Sequence, residues 1–384
     1  MTRPSLRQTP KLESLETRQV LSSMAGPSAD KQYVLEMMNL VRTNPSAAAD
    51  RFTSNISPNV QATLDQYGLT ATGLKNQLKA AAPLPPLAYS DALDSTAQGQ
   101  SQHEANTAQQ THTGANGSTL SDRLASAGYN GLTTAGENTY AFASTVDEAM
   151  QSFLFDWGVS DHGHYDNLLQ PGKSPKDAFK EVGIGLVTTN AKGVGPVVIT
   201  QDFGARQDQG PQILGVVYND PNHTGFYAPG QGRAGVTIDA VNLATGKDYQ
   251  VQDWQSGGYQ VPVEPNSNYK VTATIDGQVV KTQQIHVGDV NEKLDFILDR
   301  AQVSAPSSAP TPSSAPTPSS APAPAPAPAP VATPTPDPVP APAPKPTPQP
   351  APTPVSAPAP PSESTAPPHW LSKWSRWNAA SEMN

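Results

Sequence analysis

The stretch "WGVSDHGHYDN" (Trp157 to Asn167) sets two histidines, two aspartates and an asparagine behind a tryptophan. Neutral imidazoles beside a carboxylate suit zinc or a similar divalent ion, with a position left open for water. The same residue types also serve as a catalytic centre or as a plain polar loop. His162 and His164 are two apart, so they share a face only if the chain is extended there; on a helix they diverge. His164 is therefore expected to serve the site and His162 to stay exposed. Neither a Gly-x-Ser-x-Gly elbow nor an HExxH helix occurs, so no nucleophile or metalloprotease motif accompanies the histidines.

Several elements must position this stretch. Val34, Met37, Met38 and Val41 recur at helical spacing and predict a helix over Asp30 to Thr43, stopped at "TNP" because the residue before a proline avoids helix. Residues 60–80 give a weaker helical pattern. Asp91 to Gln110 reads as a helix carrying Leu93, Ala97 and His103. Ser144 to Trp157 is the clearest one: Ser144 with Asp147 is its expected cap, and Val146, Met150, Phe153, Leu154 and Trp157 form its apolar stripe. "EVGIGLVTT" and "GPVVITQDFG" are β-rich runs joined by a glycine-containing turn. Helices followed by paired strands predict an α+β domain ending near Arg206.

Composition narrows the function. The net charge of -9 leaves no basic stripe, which argues against nucleic acid. With no cysteine, a disulfide framework and a thiolate zinc site are excluded. No apolar run approaches the roughly 18 residues of a membrane helix.

Four stretches read together in order: "HTGANGSTLSDRLASAGY" (His112 to Tyr129), "GENTY" (Gly136 to Tyr140), "WGVSDHGHYDNLL" and "EVGIGLV…ITQDFG" (Glu181 to Gly204). They resemble the CAP superfamily, the SCP-like domain of bacterial type, over residues 30–206. The resemblance implies an α-β-α sandwich around a central antiparallel sheet, with two histidines and acidic residues about a cleft. Matched by motif, His112 is the first histidine, Glu137 the first acid and His164 the second histidine. Ser160 stands where animal members carry the second acid; bacterial relatives commonly have serine there. Adjacent Asp161 substitutes only if the loop turns suitably. The resemblance thus implies a cleft of His112, Glu137, Ser160 and His164. That cleft is either polar and metal-free or a weak divalent site with His112, His164 and Glu137 as ligands. In a metal-assisted hydrolase Glu137 would be the general base. Arg123, Gly128 and Tyr129 are expected to organise the loop between His112 and Glu137, Asn138 to hold a Gly-Glu-Asn turn, and Trp157 to pack in the core.

Residues 212–300 alternate apolar with polar positions, as in "GVTIDAV" and "NYKVTATI", and "DG" at 276–277 signals a hairpin. They predict a small all-β sandwich that resembles the SdrD-type B domains of bacterial surface proteins and acts as a spacer. In "DPNHTGFYAPGQ", Asp220, Asn222 and Thr224 fall at calcium-loop positions, but Gln231 replaces the bidentate glutamate and Ala228 stands where those domains often have aspartate. Calcium binding is not expected, nor much loss of stability from Asp220→Ala. Residues 303–368 are Ala-Pro, Thr-Pro and Ser-Pro repeats that cannot bury a core and predict a disordered stalk. Residues 369–384 carry Trp370, Trp374 and Trp377 at helical spacing. Within residues 1–29, "KLESLETRQVLSS" resembles an N-terminal motif of exported proteins of planctomycete-type bacteria. The combined expectation is an exported, non-enzymatic protein of a bacterial surface that binds an extracellular lipid, glycan or protein at its cleft. The alternatives are the metal-assisted hydrolase and a surface adhesin or wall component with a vestigial cleft.

Overall fold

The computed structural model describes residues 26–298 except Asp208. The export-type motif, the proline-rich stretch and the tryptophan tail lie outside the described residues.

The first helix, α1 (Ala29–Thr43), starts where the Ser28 side chain accepts from Lys31 N. Val34, Met37, Met38 and Val41 are fully buried, as their spacing predicts. It does stop at "TNP", but a helix that the apolar pattern does not indicate, α2 (Pro45–Ser54), begins there. Asn44 closes one helix and caps the other through Ala47 N, and Pro45 takes the first helical position, where a missing N–H costs nothing. The pattern over 60–80 resolves into α3 (Pro58–Tyr67) and α4 (Ala71–Ala80), separated by Gly68 at φ 65. After β1 (Ala88–Tyr89) comes α5 (Asp91–Thr107), which ends three residues earlier than predicted with Ala108 in the left-handed conformation. Then follow α6 (Leu120–Ser126), β2 (Leu132–Ala143), α7 (Val146–Phe155), α8 (Gly163–Leu169), β3 (Glu181–Thr188) and β4 (Val197–Arg206). The cap of α7 is Thr145 accepting from Glu148 N, not Ser144, so the capping pair lies one residue later than predicted.

These strands form one sheet in the order β1-β3-β4-β2, antiparallel except that β1 runs parallel to β3. On one face α1, α2, α7 and α8 bury Tyr140, Val182, Ile184, Ile199 and Phe203. On the other lies α5, so close that a Cβ at Gly183 or Gly185 would meet α5 backbone atoms at about 2 Å. The glycines of "VGIG" are thus packing surfaces for a helix. The result is a helix–sheet–helix arrangement.

The second half contains β5 (Gln212–Asn219), β6 (Val236–Asn242), β7 (Asp248–Gln252), β8 (Gly258–Pro262), β9 (Ser267–Ile275), β10 (Gln278–Val287), β11 (Glu292–Lys293) and β12 (Phe296–Leu298). One sheet is β10-β9-β6-β7; in the other, β5 pairs with β8, β11 and β12. Ile213, Val217, Tyr259 and Phe296 from one sheet share a core with Ile238, Tyr269 and Val271 from the other. Asp276 and Gly277, both at positive φ, make the predicted two-residue hairpin between β9 and β10.

This half is docked onto the first. Trp254 sits in the helical core with its ring 5.6 Å from Tyr89. The Gln260 side chain meets both Tyr89 N and Tyr89 O at 3.1 Å, pairing with edge strand β1 as another strand would. Lys293 Nζ lies 2.7 Å from Glu36 Oε2 in the buried junction and also bonds Asp295. Phe226 packs under Arg51, 4.0 Å from guanidinium carbon to ring centre.

Candidate functional site

His164 is built by the turn that joins α7 to α8. The Asp156 side chain is wholly buried, and its Oδ2 accepts from His164 N at 3.0 Å and Tyr165 N at 3.1 Å. That is an N-terminal cap for α8 supplied from eight residues upstream, because His162, the residue at the cap position, provides no side-chain bond. Asp156 Oδ1 lies 2.6 Å from His164 Nδ1. Phe153 packs beside the imidazole at 5.2 Å between ring centres.

The other pair stands on β2. Glu137 Oε1 is 2.7 Å from His112 Nδ1, and Oε2 bonds Arg123, which also donates to the His112 and Ser118 carbonyls. Arg123 therefore ties the histidine loop to the glutamate, as expected of it. Burial would raise the Glu137 carboxyl, but the hydrogen bond and charge of His112, with the charge of Arg123, outweigh burial and hold it low. Tyr129 donates to Glu181, which Arg206 also pairs, and so closes the same loop against β3 and β4.

Glu137 and Asn138 alternate along β2 and so point to opposite faces. Glu137 faces α5 together with Asp202, its register partner on β4. Asn138 faces α8, donates to the His164 carbonyl at 3.1 Å and accepts from Asn167 at 2.8 Å. "GEN" is thus strand, not turn: the side-chain bonds of Asn138 reach another element rather than its own loop. The His112–Glu137 pair thus belongs to the α5 face of β2, and the His164–Asp156 pair to the α8 face.

Beneath Glu137 the α5 face is polar. Asp202 Oδ2 takes the Thr96 hydroxyl at 2.5 Å, while no donor reaches Oδ1. Burial first and the Glu137 charge second push the Asp202 carboxyl well up. Glu104, also fully buried, accepts from Thr111 N at 2.8 Å and the Thr139 hydroxyl at 2.7 Å. Burial raises it to about 8.

His162 is exposed in a left-handed conformation, and Ser160 and Asp161 are exposed in the same turn. The carboxylate on His164 is Asp156, not Asp161 or a residue at 160. It lies one residue before the motif that begins at Trp157, so motif matching passes over it. An acid at a helix C-terminus opposes the helix dipole, and that mismatch is the signal that marks it. Trp157 packs in the core. Among the described residues no three of His, Cys, Asp and Glu are grouped to hold a metal ion, and both oxygens of Glu137 are already bonded. In the 220–231 loop Asp220 accepts from Thr224 N, the Thr224 hydroxyl and Gly225 N, and Gln231 Oε1 accepts from Ala228 N. The Gly225 N–H holds the Asp220 carboxyl low against the opposing effect of burial. The loop is thus closed by its own groups. The Asp220 carboxylate serves three donors of its own loop.

The Cysteine-rich secretory protein (CAP) family matches residues 35–203, although this chain has no cysteine. Among solved structures, the chain is similar to an extracellular protein containing a SCP domain from Bacillus anthracis str. Ames, at 24% identity and TM-score 0.26. That alignment covers 40% of this chain and 45% of the other, so the chain spans under half of that protein's length. An outer surface protein from Borrelia burgdorferi is 14% identical over 40% of this chain and 96% of its own, with TM-score 0.25. BmVAL-1 is 15% identical over 49% and 81%, with TM-score 0.22. No curated protein matches the chain.

Proposed function

Taking residues 35–203 as a CAP domain, we propose that the protein is exported to a bacterial surface and binds there, without catalysis. Its ligand is an extracellular lipid, glycan or protein held about His112, Glu137, Ser160 and His164. One observation carries the non-enzymatic reading. Glu137, the residue a hydrolase would use as base, has one oxygen on His112 and the other on Arg123, and its side chain is 3% exposed. A carboxylate so committed orients its neighbours rather than taking a substrate's proton. The test pairs two assays on the purified full chain. Ester and peptide hydrolysis should show no turnover that Glu137→Gln abolishes; such turnover overturns the reading. Retention on phospholipid vesicles, on isolated cell-wall glycan or on an extracellular protein fraction should fall in His164→Gln. Equal retention of wild type and variant on all three removes the binding site from His164.

A second reading, zinc held by His112 and His164, is supported by one feature. Each ring meets a buried carboxylate through Nδ1, which is how metal-ligating imidazoles are commonly oriented. Glu137 would then orient His112 rather than ligate. Zinc titration followed by calorimetry tests it: binding lost in both His112→Ala and His164→Ala supports the reading, and no binding by wild type removes it. Calcium has no part in either reading.

A further inference from the structure

We infer that Asp156 is the positioning residue of His164: it fixes the ring as the Nδ1–H tautomer and turns Nε2 into a hydrogen-bond acceptor for a ligand group that donates. This deepens the binding role proposed above and rests on it for the ligand, though not for the tautomer.

The geometry leaves little freedom. A carboxylate only accepts, and Asp156 accepts three times: two backbone N–H groups on Oδ2 and His164 Nδ1 on Oδ1. Nδ1 must then carry hydrogen, which leaves the lone pair of the neutral ring on Nε2. Asp156 is held for this task at some cost, since it adopts the left-handed conformation at φ 52 and closes α7 at the end where a negative charge is disfavoured. The same charge is favourable at the start of α8. The His164 side chain keeps 7% exposure, and its Nδ1 lies against the wholly buried Asp156 carboxylate. The exposed carboxylates of Asp161 and Asp166 stand on the same turn and helix. An accepting nitrogen selects a hydroxyl or amine donor, as on a glycan, and rejects a phosphate or carboxylate; Asp166, two residues along the same helix, points away from His164.

Asp156→Asn separates positioning from support. Asparagine tolerates the left-handed conformation. Its single oxygen must face the two backbone N–H groups to keep the α8 cap, which turns its amide N–H₂ toward Nδ1. Nδ1 then has to accept, and the proton moves to Nε2. The experiment is long-range nitrogen–proton correlation of the imidazoles in chelator-treated full chain, at a pH where the rings are neutral. His164→Gln assigns the signal. Nδ1–H in wild type and Nε2–H in Asp156→Asn, with unchanged circular dichroism, are expected. Nε2–H in wild type, or Nδ1–H retained in a folded Asp156→Asn, overturns the inference. If Asp156→Asn fails to fold, the wild-type spectrum alone decides. Retention on cell-wall glycan should fall at least tenfold in Asp156→Asn. A reversed tautomer with undiminished retention would leave the positioning role standing and sink the ligand assignment.

Discussion

Glu104→Gln tests the buried acid layer most directly. Glu104 keeps its proton in the folded protein up to about 8, against an ordinary value of 4.5, because it has no exposed surface. The unfolded chain gives that proton up near 4.5. Between the two values the folded state therefore binds more protons than the unfolded state, and stability falls as pH rises through the window. The window spans 3.5 units (8 minus 4.5), which at 1.36 kcal/mol per unit is a loss of up to about 5 kcal/mol from this one residue. Glutamine has the same shape. Its oxygen can keep the Thr111 N–H, and its amide can donate to the Thr139 hydroxyl, which then turns to the Ile199 carbonyl 3.3 Å away. Urea unfolding, followed by tryptophan fluorescence from pH 4.5 to 8.5, gives the stability of both proteins. Asp202 and Glu36 are also raised by burial and also weaken the protein toward alkaline pH. They are common to both proteins, so the difference between the two curves isolates Glu104. That difference should move in favour of Glu104→Gln by about 3–5 kcal/mol across the range. Parallel curves would show that Glu104 is ionised in the folded protein and that the reasoning from burial is wrong.

Trp254→Ala should cost about 3–5 kcal/mol by chemical denaturation, because the ring fills the helical core against Tyr89; a loss under about 1 kcal/mol would mean the two halves are not docked in solution. Lys293→Met should be destabilising by a similar ~3–5 kcal/mol, since it strands the buried Glu36 carboxylate, and adding Glu36→Gln should restore part of the loss. Asp220→Ala should lower the melting temperature equally in calcium and in chelator, because the carboxylate serves the loop's own N–H groups; a deficit appearing in calcium alone would mean the loop holds the ion.

The parts of this protein that are legible in the sequence share a physical property: they announce themselves within one element. Apolar residues at helical spacing mark α1, and "DG" between alternating runs marks the β9–β10 hairpin. His112, Glu137 and His164 stand out only because the motifs around them resemble those of a known family. The misses cross between elements. The cap of α8 comes from Asp156 on the far side of a turn, and no local capping pattern contains it. Asn138 looks like a turn residue because "GEN" has turn-like composition, but sheet pairing overrides that preference. Helix α2 escapes the pattern because Asn44 and Pro45 end one helix and start the next with no loop between, so a stop signal conceals a start signal.

The docking of the two halves is the least legible feature, and its chemistry explains why. Gln260, Asn291 and Trp254 look like ordinary surface residues of a β domain when read along the chain. In the folded protein the Gln260 amide supplies the donor and acceptor that edge strand β1 lacks. Asn291 donates to the Pro86 and Lys180 carbonyls, which lie just ahead of β1 and β3. An exposed strand edge with unpaired N–H and C=O groups invites aggregation. A protein that buries this edge beneath its own second domain removes the hazard without a further strand. The β domain also reaches α2 through Phe226 on Arg51. Arg51 in turn meets Tyr33, whose hydroxyl donates to Asp147 in the first turn of α7. That helix ends at Asp156. The element that orients His164 is therefore braced at its start by a cluster the second domain covers, so the candidate site belongs to the joined pair of domains rather than to the first alone.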